Sequence, residues 1–163
     1  MTRIGLISDT HSYMDDIILN HLSSCDEIWH IGDFGDRKVA DQLQAIKPLR
    51  GVYGNIDGQS IRTEFPEQLI FKCEDVKVML RHIGGYPPKY NPETKKELLA
   101  HRPQLFISGH SHILKIQYDP TLQCLHMNPG AAGKHGWHKV RTLIRFTIDR
   151  NNMKDAEVIE MPR

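Results

Sequence analysis

Apolar and polar positions along the chain repeat with two periods, and the places where one gives way to the other outline a fold. Residues 3–8, "RIGLIS", form an apolar run of strand length. Residues 15–23, "DDIILNHLS", put apolar side chains at helical spacing behind an Asp-rich first turn, which predicts a helix N-terminus. "EIWHIG" (27–32) reads as a second strand, "DRKVADQLQAI" (36–46) as a second amphipathic helix, and "LRGVYG" (49–54) as a third strand. Alternation of strand and helix with short links implies parallel pairing and right-handed crossovers. The second half changes style. "QLIFKC" and "VKVMLRH" flank Glu74 and Asp75, which predicts a β-hairpin. "GGYPPKYNP" reads as a loop, "ETKKELLAH" as a helix and "QLFIS" (104–108) as a strand. "ILKIQYD", "QCLHMN", "VRTLIRFTID" and "DAEVIEM" follow as strands. The expected architecture is an α/β sandwich of two mixed β-sheets flanked by helices. No repeat, low-complexity tract or linker divides it, so residues 1–163 are expected to form one domain.

Five predicted strand ends carry side chains suited to metal ligation. "SDTH" offers Asp9 and His11, "GDFGD" Asp33, "GNID" Asn55, "VMLRH" His82, and "FISGHSH" both His110 and His112. Loops beyond C-terminal strand ends are where α/β sheets gather such groups. Singly, each has a plain meaning: Asp9 with Thr10 and Ser12 can start a helix, and Gly-Asp and Gly-Asn are turn dipeptides. A lone histidine is more often a rim or core residue than a ligand. The weight lies in the order of all five. Oxygen and imidazole donors suit Mn, Fe, Co, Ni or Zn rather than a thiolate site. Seven groups exceed the needs of one tetrahedral zinc and match two ions of higher coordination sharing a carboxylate. Such a pair, roughly 3.5–4 Å apart, clamps the attacking and leaving oxygens of an in-line phosphoryl displacement, with a bridging hydroxide as nucleophile. Gly32, Gly54 and Gly109 permit tight turns and close backbone approach there.

Composition narrows the picture further. Hydrophobic and charged contents of 39% and 25% are ordinary for a globular protein, and 163 residues bury one substantial core. The net charge of +1, without a run of like charge, points away from extended nucleic acid and from membrane surfaces. No apolar stretch reaches bilayer length, and "RIGLIS" lacks the long core of a secretory signal. Three widely spaced cysteines, Cys25, Cys73 and Cys124, argue against a disulfide framework, so a cytoplasmic location is expected.

From "LISDTHS" through "HIGDF", "GVYGNID" and "FISGHSH" to "MNPGAAG", the sequence resembles the calcineurin-like metallophosphoesterase superfamily, most of all its small bacterial and archaeal phosphodiesterases. The resemblance implies a two-sheet sandwich with flanking helices and hydrolysis of a small phosphodiester. It implies that Asp9, His11, Asp33 and His112 hold one ion and that Asp33, Asn55, His82 and His110 hold a second, Asp33 bridging. Manganese is the first expectation, with Ni, Fe, Co and Zn as alternatives. A catalytic role would fall to His11 within the cluster; the resemblance leaves leaving-group protonation unassigned, with Asp57 or a metal-bound water as candidates. Many relatives carry a histidine directly after the Asn; here it is Ile56, which favours diesters over protein-phosphatase chemistry. Tyr86 and Tyr90 would border the cleft, and Lys134, His135 and His138 would lie within reach of phosphate. The competing expectation is a protein-interaction scaffold of the same fold, like the small retromer subunit. Homo-oligomerisation is left open.

Overall fold

A computed structural model describes residues 1–163. The first half alternates as expected through β1 (Thr2–Ile7), α1 (Asp16–Leu22), β2 (Glu27–His30), α2 (Arg37–Gln44) and β3 (Leu49–Gly51), and α3 (Gln59–Glu64) follows. Then come β4 (Gln68–Cys73), β5 (Val76–Arg81), β6 (Gly85–Tyr86), β7 (Lys89–Tyr90), α4 (Pro92–His101), β8 (Leu105–Ile107), β9 (Lys115–Asp119) and β10 (Cys124–Asn128). The chain closes with β11 (Arg141–Asp149) and β12 (Asn152–Met161). One five-stranded sheet runs β12-β11-β1-β2-β3 and a second runs β4-β5-β8-β10-β9. In the first, β1, β2 and β3 are parallel; in the second, β5, β8 and β10 are. Antiparallel β11 and β12 extend one side of the first sheet, and β4 and β9 form both edges of the second, so both sheets are mixed.

Strand alternation explains the layering. Ile4 and Leu6 of β1 point into the space between the sheets, where they meet Val78, Leu80, Ile107 and Phe146. Trp29 sits there fully buried, edge-on to Phe71 and Phe146 at centroid distances of 5.0 and 5.8 Å. The opposite face of the first sheet, with Ile7 and Ile28, is covered by Ile18, Leu22, Val39 and Leu43 of α1 and α2. The outer face of the second sheet is apolar over a smaller patch, Met79, Phe106 and Cys124, which Leu98 of α4 covers. Burying each such aliphatic side chain contributes about 1.5–3 kcal/mol. Asp15 caps α1 by accepting the Ile18 N–H at 2.9 Å, and Asp36 caps α2 through Lys38 N–H at 3.1 Å.

Two local expectations are corrected, and one helix was not expected. "GGYPPKYNP" is not wholly loop: Gly85 and Tyr86 pair antiparallel with Tyr90 and Lys89 in a small hairpin. The third strand ends at Gly51 rather than Gly54, although Val52 N–H still reaches His30 O at 3.1 Å in line with the ladder. Helix α3 went unpredicted because Ile61 is its one buried residue, too little for an apolar stripe.

Candidate metal centre

All three parallel strands of the first sheet, and β5 and β8 of the second, run out at the same edge of the sandwich. The loop after β1 is laced to the loop after β2 by backbone bonds: Asp9 N–H to Gly32 O, His11 N–H to Asp33 O and Ser12 N–H to Phe34 O, at 2.8–3.0 Å. Gly109 N–H reaches His82 O at 3.0 Å, holding the second sheet's two loops together. Across the seam, His110 N–H donates to Asp9 Oδ2 at 3.1 Å and the His82 ring nitrogen Nδ1 donates to Ile31 O at 2.7 Å. The structure therefore brings all seven expected ligand residues together.

Their donor atoms form two adjoining groups, Asp9 with His11 and His112, and Asp33 with His82 and His110; within each, the donor atoms lie within 4.8 Å of one another. Asp33 Oδ2 stands between them, 3.4 Å from His11 Nε2 and 3.2 Å from His82 Nε2. Asn55 Oδ1 is 3.1 Å from both His82 Nε2 and His110 Nδ1. Because His82 Nδ1 carries the proton given to Ile31 O, its Nε2 lone pair faces the cluster. Asp9 Oδ2 is satisfied by Ser8 and His110, whereas buried Asp9 Oδ1 has no hydrogen-bond partner and faces His112 Nε2 at 3.2 Å. His11 Nε2 is likewise buried without a partner. An orphaned carboxylate oxygen ringed by imidazole nitrogens fits a cation, since burying such atoms uncompensated is costly.

The backbone is strained to hold this geometry. Asp9, His11, Asp33, His110 and His112 all have positive φ, between 45° and 70°. Five non-glycine residues in the left-handed region at one locus each cost of order 1 kcal/mol or more, and such strain gathers at functional sites. Gly109 works differently: a Cβ there would sit 2.9 Å from Asp9 Oδ2 and crowd Ser8 Oγ. It is required for close approach, not for φ.

Electrostatics follow from burial and pairing. Burial alone would push the Asp9 carboxyl up, but the neighbouring imidazoles of His11 and His112 outweigh it and hold the group well below the carboxylate range. Asp33 is likewise raised by burial and lowered further by His11 and His82. The reciprocal effect lifts His11 to about 9, because the carboxylates of Asp33 and then Asp9 beside it favour the imidazolium. His110 moves the other way, lowered by burial and by neighbouring His82.

Asp57 occupies a place its sequence context did not reveal. It is 3% exposed; Oδ2 accepts from Asp33 N–H at 3.0 Å and Gly54 N–H at 2.8 Å, and Oδ1 accepts from Gly35 N–H at 2.9 Å. Both oxygens are engaged by backbone donors, an arrangement that suits a brace between the loops of Asp33 and Gly54. Other expected neighbours divide. His135 stacks on His11 at 4.6 Å and His138 meets His112 edge-on at 5.6 Å. Lys134 instead covers Tyr13, its Nζ 4.7 Å from the ring centroid. Tyr86 lines a cavity beside His110, whereas Tyr90 turns away to donate to Asp119 at 2.7 Å. Asn128, in the "MNPG" stretch, supports the site from behind through Gly109 O and Ser111 Oγ, both at 3.1 Å.

A sandwich of two mixed sheets that delivers carboxylates and imidazoles from five strand ends to one edge defines a class of metal-centre fold. The chain belongs to the calcineurin-like phosphoesterase superfamily, whose domain model matches residues 2–151. Over 135 residues it is 30% identical to a protein of Methanocaldococcus jannaschii named "Probable metallophosphoesterase", covering 78% of this chain and 67% of that one. A second, from Methanothermobacter thermautotrophicus and similarly named, is 29% identical over 114 residues, covering 67% and 66%. The chain thus spans about two thirds of the length of these curated relatives. Among solved structures, one described as a novel archaeal phosphodiesterase superposes with a TM-score of 0.73 at 19% identity, covering 96% of this chain and 99% of that one. Vps29 of Entamoeba histolytica, complexed with zinc, gives 0.75 at 17% identity, covering 97% and 98%. At these identities the structural likeness speaks to the fold.

Proposed function

We propose that the protein is a metal-dependent phosphodiesterase with a dinuclear centre. Asp9, His11, Asp33 and His112 would hold one divalent ion and Asp33, Asn55, His82 and His110 the other, Asp33 being shared. The observation that carries this reading is the position of Asp33 Oδ2, within 3.4 Å of imidazole nitrogens from both groups, beside the orphaned Asp9 Oδ1. When bound, such ions supply Lewis acidity that polarises a phosphoryl oxygen and activates water. The donor set lacks thiolate and suits manganese first, with Ni, Fe, Co and Zn as alternatives. Asp57 braces the loops bearing Asp33 and Asn55, and Ser8 and His110 orient Asp9 so that its free oxygen faces the imidazoles. Ile56, 46% exposed after Asn55, offers no proton. With Asp57 committed elsewhere, the site favours diesters whose leaving groups depart without a side-chain acid. Three buried free thiols suit a reducing cytoplasm. No helix is long and apolar enough to cross a membrane.

The test is hydrolysis of a bis-aryl phosphodiester with added Mn²⁺, alongside a metal titration expected to saturate at two ions per chain. Asp33→Asn and His82→Ala should each abolish turnover; full activity in excess chelator would refute the reading. A second reading, a protein-interaction scaffold, is favoured by Trp137, which is 100% exposed beside the site, and by the likeness to Vps29. It calls for metal binding without turnover of any diester or monoester in a panel.

A further inference from the structure

Four strands edge the two sheets, β12 and β3 in the first and β4 and β9 in the second. Three of them are guarded against pairing with another chain. β12 carries Lys154, Asp155, Glu157 and Glu160, and its register to β11 shifts between Arg145 and Thr147. β3 is only three residues long. β4 presents an exposed Lys72, and its Phe71 ring lies under Arg50 of β3, the guanidinium 4.5 Å from the centroid. β9, "KIQYD", lacks such protection: Ile116 is 44% and Tyr118 56% exposed. Its one cation, Lys115, is drawn onto the Tyr86 ring, with Nζ 4.1 Å from the centroid.

The direction of the β9 backbone groups follows from the strand beside it. Leu125 N–H donates to Gln104 O at 2.9 Å, and Met127 O accepts from Ser108 N–H at 3.1 Å. Both residues of β10 therefore turn their backbone groups to the β8 side. In the antiparallel β9–β10 pair, Leu125 lies opposite Tyr118 and Met127 opposite Ile116. These are the pairs that exchange no hydrogen bonds, so Ile116 and Tyr118 direct their N–H and C=O groups away from β10, off the edge of the sheet. Their side chains share the face of Leu125 and Met127, which looks towards the apolar layer between the sheets.

We propose that this edge binds a second copy of the chain, β9 against β9, antiparallel about Gln117. In that register the strand is its own complement. Ile116 of each copy lies opposite Tyr118 of the other, and the outward groups of these two pairs close four backbone hydrogen bonds. The same pairs set a branched aliphatic side chain beside an aromatic one, a favoured cross-strand combination, on the face where both are exposed. Lys115 of each copy faces Asp119 of the other, so both ends of the ladder match opposite charges. Asp119 is held in place for this by Tyr90 O–H and Thr121 N–H, at 2.7 and 2.9 Å. In-register parallel pairing would instead set Lys115 beside Lys115 and Asp119 beside Asp119. The antiparallel contact is two-fold symmetric and closed, and it joins the two second sheets into one continuous sheet.

The test is analytical ultracentrifugation of the full-length protein over a range of concentrations, with residue-resolved amide hydrogen exchange on the same samples. A monomer–dimer equilibrium is expected. On dimerisation the amides of Ile116 and Tyr118 should pass from fast to slow exchange, whereas that of Gln117, which faces β10, should be slow throughout. A protein that stays monomeric, or a dimer in which the Ile116 and Tyr118 amides remain fast, overturns the proposal. Tyr118→Pro removes an N–H that β10 does not use, at a position where an edge strand accepts proline. It should be monomeric with a native circular dichroism spectrum, and a dimer that survives it overturns the proposal. Lys115→Glu leaves the backbone untouched and sets like charges at both ends of the ladder. It should raise the dimer dissociation constant about tenfold, and an unchanged constant refutes the register.

Discussion

Asp57→Asn separates a brace from a proton donor. In the native protein the carboxylate accepts three backbone N–H groups, two on Oδ2 and one on Oδ1, at 2.8–3.0 Å. Asparagine has one acceptor oxygen. If that oxygen takes the Asp33 and Gly54 donors, the amide NH₂ faces the Gly35 N–H and leaves it unpaired, at a cost of about 1–3 kcal/mol. The two retained bonds also lose their charge assistance, so a total near 2–4 kcal/mol is expected. With a urea m-value of about 2 kcal/mol/M, the unfolding midpoint should fall by roughly 1–2 M. Buried Trp29 provides the fluorescence signal. Because the same bonds position the loops of Asp33 and Asn55, metal affinity should drop about 10–100-fold, as for other groups supporting metal ligands. A proton donor would behave oppositely: turnover would fall while the urea midpoint and metal affinity stayed at native values. That result would refute the bracing role.

Two further outcomes follow from the site's packing and charges. Gly109→Ala should displace Asp9, because the new Cβ would lie 2.9 Å from its Oδ2 and 3.3 Å from His82 Nδ1; metal retained after equilibrium dialysis should fall more than tenfold. In the metal-free protein, His11 is raised from 6.5 to about 9, so its stabilising contribution is complete below about pH 6.5 and disappears as pH rises through 9. Asp9 and Asp33, both lowered, contribute fully above about pH 4 and lose that contribution in acid as they are protonated. Urea midpoints of the apo protein should therefore decline between pH 6.5 and 9. Metal affinity should climb over the same interval, with proton release seen by calorimetry in buffers of different ionisation enthalpy, because a ligand imidazole must shed its proton. A flat affinity profile would exclude His11 from the ligand set.

The fold and the cluster were legible to different depths. The first sheet could be read because β1 and β2 are continuous apolar runs, each ending in a short polar signature. The cluster could be read because its donors sit immediately after those runs, so local order carried three-dimensional information. Helix α3 and the β6–β7 hairpin were not legible: one depends on a single buried Ile61, the other on two-residue strands around Pro87 and Pro88. Asp57 follows the Gly-Asn turn and invited a catalytic role, yet its burial depends on donors 22 and 24 residues away.

The seam between the two sheets has a mechanical consequence. Asp9, His11, Asp33 and Asn55 belong to one layer and His82, His110 and His112 to the other, and even without ions two bonds, His110 to Asp9 and His82 to Ile31, rivet the layers at this rim. Cations gripped by both halves would lock the sandwich like a clasp on a hinged case. Sliding of one layer against the other then becomes a movement that the centre resists, and any partner that prises the rim apart would loosen its ions.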